Sequence, residues 1–175
     1  MSDIPYKIPV QIGHSPTLRF RLAPVSKKIM SGDADWIDSK EFCVDNICGH
    51  EFLLPFIEQF LPDEFLFRNE INLMPFSNAS RMSEEIRKTV SLLKTDYGSP
   101  ALAGIKKHFS LDLLVSGEEY NRKYLLLSGP QKAQAVRDRI GVVIDFYTQF
   151  AGWLDSVIAE YEPKDFHQLA VTSPA

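Results

Sequence analysis

Cys43, Cys48, His50 and Glu51 are the residues whose types and short spacing come closest to a chemical site in this sequence. Thiolate, imidazole and carboxylate groups bind zinc, and a thiol near an imidazole can be an activated nucleophile. A structural zinc site needs four ligands, often in Cys-x2-Cys spacing, and the sequence has no second pair downstream. Neighbouring carboxylates also raise the pKa of a thiol. We therefore expect buried structural cysteines, no metal and no cofactor, with Cys48 and His50 as the catalytic pair of an alternative, enzymatic interpretation.

Acidic residues are concentrated in one part of the chain. Residues 31–75 contain ten acidic and two basic residues, while residues 1–30 carry a net charge of +4 and residues 76–175 balance at twelve of each sign. Phosphate binding requires clustered Lys and Arg, so this segment argues against a nucleic-acid partner. It suits another protein with a cationic surface. The residues expected to bind that partner are Asp33, Asp35, Asp38, Glu41 and Asp45.

The function predicted from these charges is that of a small soluble interaction protein. A toxin-neutralising immunity protein is its most concrete form, because an acidic surface attracts cationic enzymes such as nucleases. Two alternatives stay open: an enzyme that uses the Cys/His pair, and a helical domain that holds an apolar ligand among its twelve Phe side chains. We found no glycine-rich phosphate loop, Gly-x-Ser-x-Gly elbow or calcium-loop pattern in the sequence.

Hydropathy predicts a cytoplasmic protein that does not span a membrane. The longest apolar run, 52–57, has six residues including Pro55, far fewer than the roughly 20 that a membrane-spanning helix needs. The first residues lack the basic and apolar regions of a signal peptide. Two cysteines are too few for a disulfide framework, and on one helix Cys43 and Cys48 would lie beyond disulfide reach.

Alternation and turn residues predict an N-terminal hairpin of strands 6–12 and 17–23. Helices are expected from Asp38 or Ser39 to Ile47, over 50–60, from Ser80 or Ser83 to Tyr97 and from Ser99 onward, with a strand within 65–74. Residues 111–115 and 123–127 form either a second hairpin or, for the later run, a helix.

The strongest pattern lies in 128–161, where apolar residues recur at alternating spacings of four and three. These residues are Val136, Ile140, Val143, Tyr147, Phe150, Leu154, Val157 and Tyr161. The spacing predicts one helix of about eight turns with an apolar stripe. An intramolecular core helix is favoured over a coiled-coil seam, since charged flanking positions are scarce, and the chain is expected to be a monomer or a homodimer.

Together these patterns predict a mostly helical α+β fold. It consists of an N-terminal β-hairpin and four or five helices, with the long C-terminal helix as the central packing element. We expect one domain over 1–162 and a flexible tail or short docking strap over 163–175.

Overall fold

The computed structural model describes residues 20–25, 42–44, 47–61, 71–115, 117–164, 166 and 168–172, and most of these residues are helical. The longer helices are α1 (Ile47–Phe60), α2 (Phe76–Thr95), α6 (Gly129–Asp138) and α7 (Ile140–Tyr161). The shorter ones are α3 (Ala103–Lys106), α4 (Leu111–Leu114) and α5 (Gly117–Glu119). Single 3-10 turns span Pro100–Leu102 and Glu162–Lys164, and a π-helical turn spans Tyr120–Tyr124. The mostly helical α+β fold is therefore confirmed.

Within the described residues, four short strands form one antiparallel sheet. They are β1 (Phe20–Val25), β2 (Phe42–Val44), β3 (Ile71–Pro75) and β4 (Gln168–Thr172), in the spatial order β2-β1-β4-β3. β1 lies within and just beyond the predicted second strand of the hairpin, and β3 lies at the end of the predicted strand 65–74. Arg21 and Leu22 of β1 pair with β2 on one side and with β4 on the other. The N-terminal antiparallel pair is thus β1 with β2, while the predicted strand 6–12 lies outside the described residues.

Residues 168–172 are not part of a flexible tail, because they form β4, an inner strand of the sheet between β1 and β3. Leu169 and Val171 alternate along β4, and both side chains are completely buried. Phe166 also packs its ring against Tyr161, with ring centroids 5.2 Å apart. Apolar burial and two ladders of backbone hydrogen bonds hold this segment in the sheet.

The predicted helix over 128–161 is two helices that meet at Arg139. Its backbone angles, φ −103° and ψ 9°, leave the helical range, and its N–H donates to the Val136 carbonyl 3.1 Å away, three residues back. The predicted start is confirmed: Ser128 and Gln131 form a reciprocal capping box. The apolar stripe continues across the break: Val136 before it and Val143 after it are buried, and Ile140 packs against the same core. The expectation of one uninterrupted helix was therefore wrong, although the stripe itself lies in the core.

α7 organises a core rich in aromatic rings. Phe42 packs edge-on against Phe150 with ring centroids 4.9 Å apart, and Phe56 packs edge-on against Tyr147 at 5.4 Å. The Tyr147 hydroxyl donates a 2.9 Å hydrogen bond to the Phe52 carbonyl of α1. Rings of β2 and α1 thus both pack on α7, which helps to explain why α7 is apolar around much of its circumference.

Residues 42–44 form β2, so the helix predicted to run from Asp38 or Ser39 to Ile47 is wrong. The sequence Phe42-Cys43-Val44 suits an extended strand, and the pairing with β1 turns Phe42 into the core, where it is 2% exposed. α1 then begins at Ile47 and contains Pro55 in its interior. Cys43 and Cys48 consequently lie on different elements, which removes the single-helix argument against a disulfide.

Residues 99–124 are helical throughout most of their length. Ser99 caps the first turn by accepting from the Ala101 N–H, as its position before Pro100 predicts. α4, α5 and the π-helical turn then replace the alternative hairpin of 111–115 with 123–127. The helical alternative for the later run is correct as far as Tyr124.

Candidate protein-binding surface

Leu125 and Leu126 are the exposed large hydrophobic residues of the described chain. Leu126 is 96% exposed and Leu125 is 50% exposed. They form the turn between the π-helical turn Tyr120–Tyr124 and α6. A scattered exposed leucine is ordinary on a protein surface, but two in succession, one of them almost fully exposed, are typical of a contact surface.

Hydrogen bonds on both sides fix the backbone of this turn. The Leu125 N–H donates to the Tyr120 carbonyl at 3.0 Å, closing the π-helical turn, and the Leu127 N–H donates to the Tyr124 carbonyl at 3.1 Å. The Ser128 cap of α6 follows immediately. The two leucines are therefore presented on an ordered backbone, which lowers the conformational entropy that a partner would have to remove.

Cationic residues precede and follow the leucines along the chain, with no acidic residue among them from Tyr120 to Arg137. From Tyr120 to Arg137 the sequence contains four Lys and Arg residues and no Asp or Glu. Lys132 lies over the ring of Tyr120, 5.7 Å from its centroid. Arg122 and Lys123 are exposed in the segment directly before the leucines. Of these groups, the Tyr and Arg side chains are types enriched in protein interfaces, whereas Lys is more common elsewhere on the surface.

An ion pair between Arg139 and Glu119 ties α5 to the break between α6 and α7. The guanidinium lies 2.5 Å from the carboxylate, and both side chains are about two-thirds buried. Arg139 also donates to the Tyr124 hydroxyl at 3.4 Å, and this bond, followed by the charge of Glu119, raises the pKa of Arg139 above its ordinary value. The helix break that the apolar pattern did not predict is thus the point that positions Tyr124.

A surface cavity of about 460 Å³ lies beside Tyr124. Its lining comprises Tyr124, Ala135, Asp138, Arg139, Gly141 and Val142. Its size falls in the range of small-molecule clefts. Asp138 accepts a 2.9 Å hydrogen bond from Gln134, and Arg139 is paired with Glu119. The cavity therefore has aromatic and aliphatic walls, with one carboxylate and one guanidinium in its lining.

A second cation–aromatic contact lies around Tyr97. Lys106 Nζ lies 4.3 Å from the centroid of the Tyr97 ring, and Arg137 Cζ lies 5.1 Å from it. Lys106 also donates to the Tyr97 carbonyl at 2.9 Å. Burial raises the pKa of Tyr97, and the charge of Arg137 opposes that rise. This contact links the end of α2 to α6 and holds Arg137 in place.

The residues predicted to bind a cationic partner, Asp33, Asp35, Asp38, Glu41 and Asp45, all lie outside the described residues. The acidic binding surface therefore stays a prediction. The same holds for its position relative to the turn at Leu126.

The predicted chemical cluster falls on described backbone but its side chains lie outside the described part. Cys43 is in β2, and Cys48 and His50 are in the first turn of α1. Within the described residues, no three His, Cys, Asp or Glu side chains are grouped so that they could hold a metal ion. The pair Cys48 and His50 stays an alternative hypothesis.

Sequence analysis missed the leucine surface because Leu125, Leu126 and Leu127 form an apolar run, which predicts burial. The signal that could have found it is the absence of acidic residues from the adjoining cationic stretch.

No protein-family model, curated protein or solved structure matches the chain. In the part of the chain that the structure describes, no helix has the length and apolarity needed to cross a membrane.

Proposed function

We propose that this chain is an interaction protein that binds another protein through the surface around Leu125 and Leu126. The observation that carries the proposal is the 96% exposure of Leu126 on a turn whose backbone is fixed on both sides. Tyr120 and Tyr124 flank the turn and Arg122 precedes it. Tyr and Arg side chains are enriched among the residues that dominate binding energy.

The leucines can contribute substantially to an interface. Complete burial of a leucine side chain stabilises a complex by about 1.5–3 kcal/mol, and Leu125 has half of its surface left to bury. Together the two residues can therefore contribute about 2–4 kcal/mol, which corresponds to roughly a 30- to 700-fold change in affinity.

The acidic segment supports a more specific version of the same function. With ten acidic and two basic residues in 31–75, a cationic toxic enzyme in the cytoplasm is the partner that this charge suits best. In this version, Asp33, Asp35, Asp38, Glu41 and Asp45 provide the negative potential, and the chain acts as an immunity protein.

Affinity capture from the native host, with the double variant Leu125→Ser/Leu126→Ser beside the unchanged chain, tests the proposal. Captured proteins are identified by mass spectrometry, and their affinities for both forms are then measured by calorimetry. We expect affinity to fall by roughly 30- to 700-fold in the variant. Gln149→Ser, an exposed polar change on α7, is the control and should bind as the unchanged chain does.

Two results separate the general proposal for the leucine surface from the immunity-protein version. Charge reversal at Asp35, Asp38 and Glu41 should slow association with a cationic partner and weaken its dependence on salt concentration. If every captured partner binds the leucine variant as tightly as the unchanged chain, the proposal for the leucine surface is wrong. Circular dichroism checks that the variants fold, since exposed substitutions normally change stability by less than about 0.5 kcal/mol.

A further inference from the structure

We infer that the cavity beside Tyr124 binds a small zwitterion, a free α-amino acid with a large apolar side chain. This site is separate from the leucine surface and does not depend on it. Three features of the lining support the inference: a carboxylate whose charge is not balanced, a guanidinium with donors left over, and apolar walls.

The carboxylate in the lining belongs to Asp138, the last residue of α6. Among the described residues, its hydrogen-bond donor is the neutral Gln134 amide, 2.9 Å away. An amide donates a hydrogen bond but leaves the negative charge unbalanced. The carboxylate can therefore accept a charge-assisted hydrogen bond from the ammonium group of a ligand.

The guanidinium in the lining belongs to the next residue, Arg139. It donates to Glu119 and to the Tyr124 hydroxyl, and both hydrogen bonds start from Nη2. A guanidinium has five N–H donors in a planar fork, so Nε and Nη1 keep donors for the carboxylate of a ligand.

Asp138 and Arg139 are consecutive residues, with Cα atoms about 3.8 Å apart, and both line the cavity. They therefore bring a negative and a positive group together at the break between α6 and α7. An ammonium and a carboxylate group on one α-carbon are the complementary arrangement.

The charges around the cavity favour a zwitterion over a ligand with a single charge. Asp138 is negative, and the ion pair of Arg139 with Glu119 is neutral. Lys123 Nζ lies 5.9 Å from the centroid of the Tyr124 ring and adds one positive charge at this wall. The charged neighbours of these residues along the chain also balance: Glu118 and Arg137. A simple cation or anion would meet a repelling group as well as an attracting one, whereas a zwitterion satisfies both.

The rest of the lining fits an apolar side chain. Tyr124 supplies an aromatic wall, Ala135 and Val142 supply aliphatic walls, and Gly141 adds no side chain. The volume of about 460 Å³ lies in the range of small-molecule clefts, so a side chain as large as that of Leu or Phe can enter.

The test measures binding of four probes to the full chain by calorimetry. L-leucine and L-phenylalanine carry both charges, phenethylamine lacks the carboxylate, and N-acetyl-L-phenylalanine lacks the ammonium group. We expect L-phenylalanine to bind with a dissociation constant below about 1 mM, and both single-charge probes to bind at least about tenfold more weakly. Asp138→Asn should weaken binding of L-phenylalanine about tenfold or more and should not weaken binding of N-acetyl-L-phenylalanine.

Gly141→Leu is the variant that fills the cavity, and Gly152→Leu is its matched control. Both glycines lie in α7, and a Cβ added at either one meets no atom within 4 Å, but only Gly141 lines the cavity. Leu favours a helix more than Gly does, so both variants should unfold at the same urea concentration as the unchanged chain or at a higher one. Only Gly141→Leu should weaken binding of L-phenylalanine, by about tenfold or more.

The inference is overturned if neither amino acid binds, if either single-charge probe binds as tightly as L-phenylalanine, or if Gly141→Leu binds L-phenylalanine as the unchanged chain does. Equal losses in Gly141→Leu and Gly152→Leu would also overturn it, because the loss would then not come from the cavity. None of these results bears on the leucine surface, whose test uses Leu125→Ser/Leu126→Ser and host proteins. Each proposal can therefore fail without the other.

Discussion

Replacing Tyr147 with Phe should make the protein less stable at neutral pH and less sensitive to alkali. The Tyr147 side chain is fully buried, and its hydroxyl donates to the Phe52 carbonyl at 2.9 Å, which joins α7 to α1. Tyr147→Phe keeps the ring but removes this hydrogen bond and leaves one acceptor poorly satisfied. We expect the free energy of unfolding to fall by about 1–3 kcal/mol at about pH 8.

Burial also makes the contribution of Tyr147 to stability depend on pH. It raises the pKa of Tyr147 above the ordinary value of about 10, because a phenolate would be unsolvated in the core. The unfolded chain therefore releases this proton above about pH 10 while the folded protein retains it. The contribution of Tyr147 is fully present below about pH 10 and is lost at about 1.4 kcal/mol per pH unit above it. By about pH 11 the unchanged protein should have lost about 1.4 kcal/mol through this residue.

Urea unfolding of the unchanged chain and of Tyr147→Phe, at about pH 8 and about pH 11, measures both effects. The stability difference between the two proteins should shrink by about 1.4 kcal/mol at the higher pH, because Phe has no proton to lose. Other alkaline titrations occur in both proteins and cancel in this comparison. A stability difference that is the same at both pH values would refute the assignment of a buried neutral phenol.

Tyr97→Phe is the matched comparison for this experiment. Tyr97 is half-buried, and the charge of Arg137 opposes the effect of burial on its pKa. Its replacement should therefore change the alkaline loss of stability by less than Tyr147→Phe does.

Further substitutions test the sheet and the contact between α2 and α7. Leu169→Ala should lower the free energy of unfolding by about 2–5 kcal/mol in urea titrations, whereas a change near zero would mean that residues 168–172 are not an inner strand. Asp155→Ala should cost about 1–3 kcal/mol because it leaves the buried Ser83 hydroxyl without its 2.7 Å acceptor. Arg87→Ala removes a half-exposed ion pair to the same carboxylate and should cost less than about 1 kcal/mol; equal effects would contradict this ranking.

The helical framework could be predicted because its apolar residues follow the helical period over many turns. The stripe of 136–161 and the helix that contains Met82, Ile86 and Leu93 both face the core as expected. Periodicity reports which side of a helix is buried, and it is insensitive to one residue leaving helical geometry. The break at Arg139 keeps the phase of the stripe, so it could not be seen in the pattern.

Short strands were the main failure of prediction. β2 has three residues and β4 has five. Neither strand is long enough for its alternation of apolar and polar residues to outweigh the patterns that predicted a helix and a C-terminal tail there. Their strand geometry depends on pairing with β1, a segment far from β4 along the chain. Long-range pairing of this kind is a tertiary effect that local propensity does not contain. The predicted acidic site cannot be compared in the same way, because its residues lie outside the described part.

The helix break and the leucine surface are connected by Arg139. A continuous helix over 128–161 would place residue 139 in regular helical geometry, whereas the break sets Arg139 between Glu119 and Tyr124. Tyr124 in turn lines the cavity and ends the π-helical turn that leads to Leu126. The helix break that the apolar pattern did not predict therefore holds Arg139 beside Tyr124, the residue that precedes the exposed leucines. That combination favours a surface kept for a partner, since an exposed leucine on a braced turn stabilises nothing within the described fold.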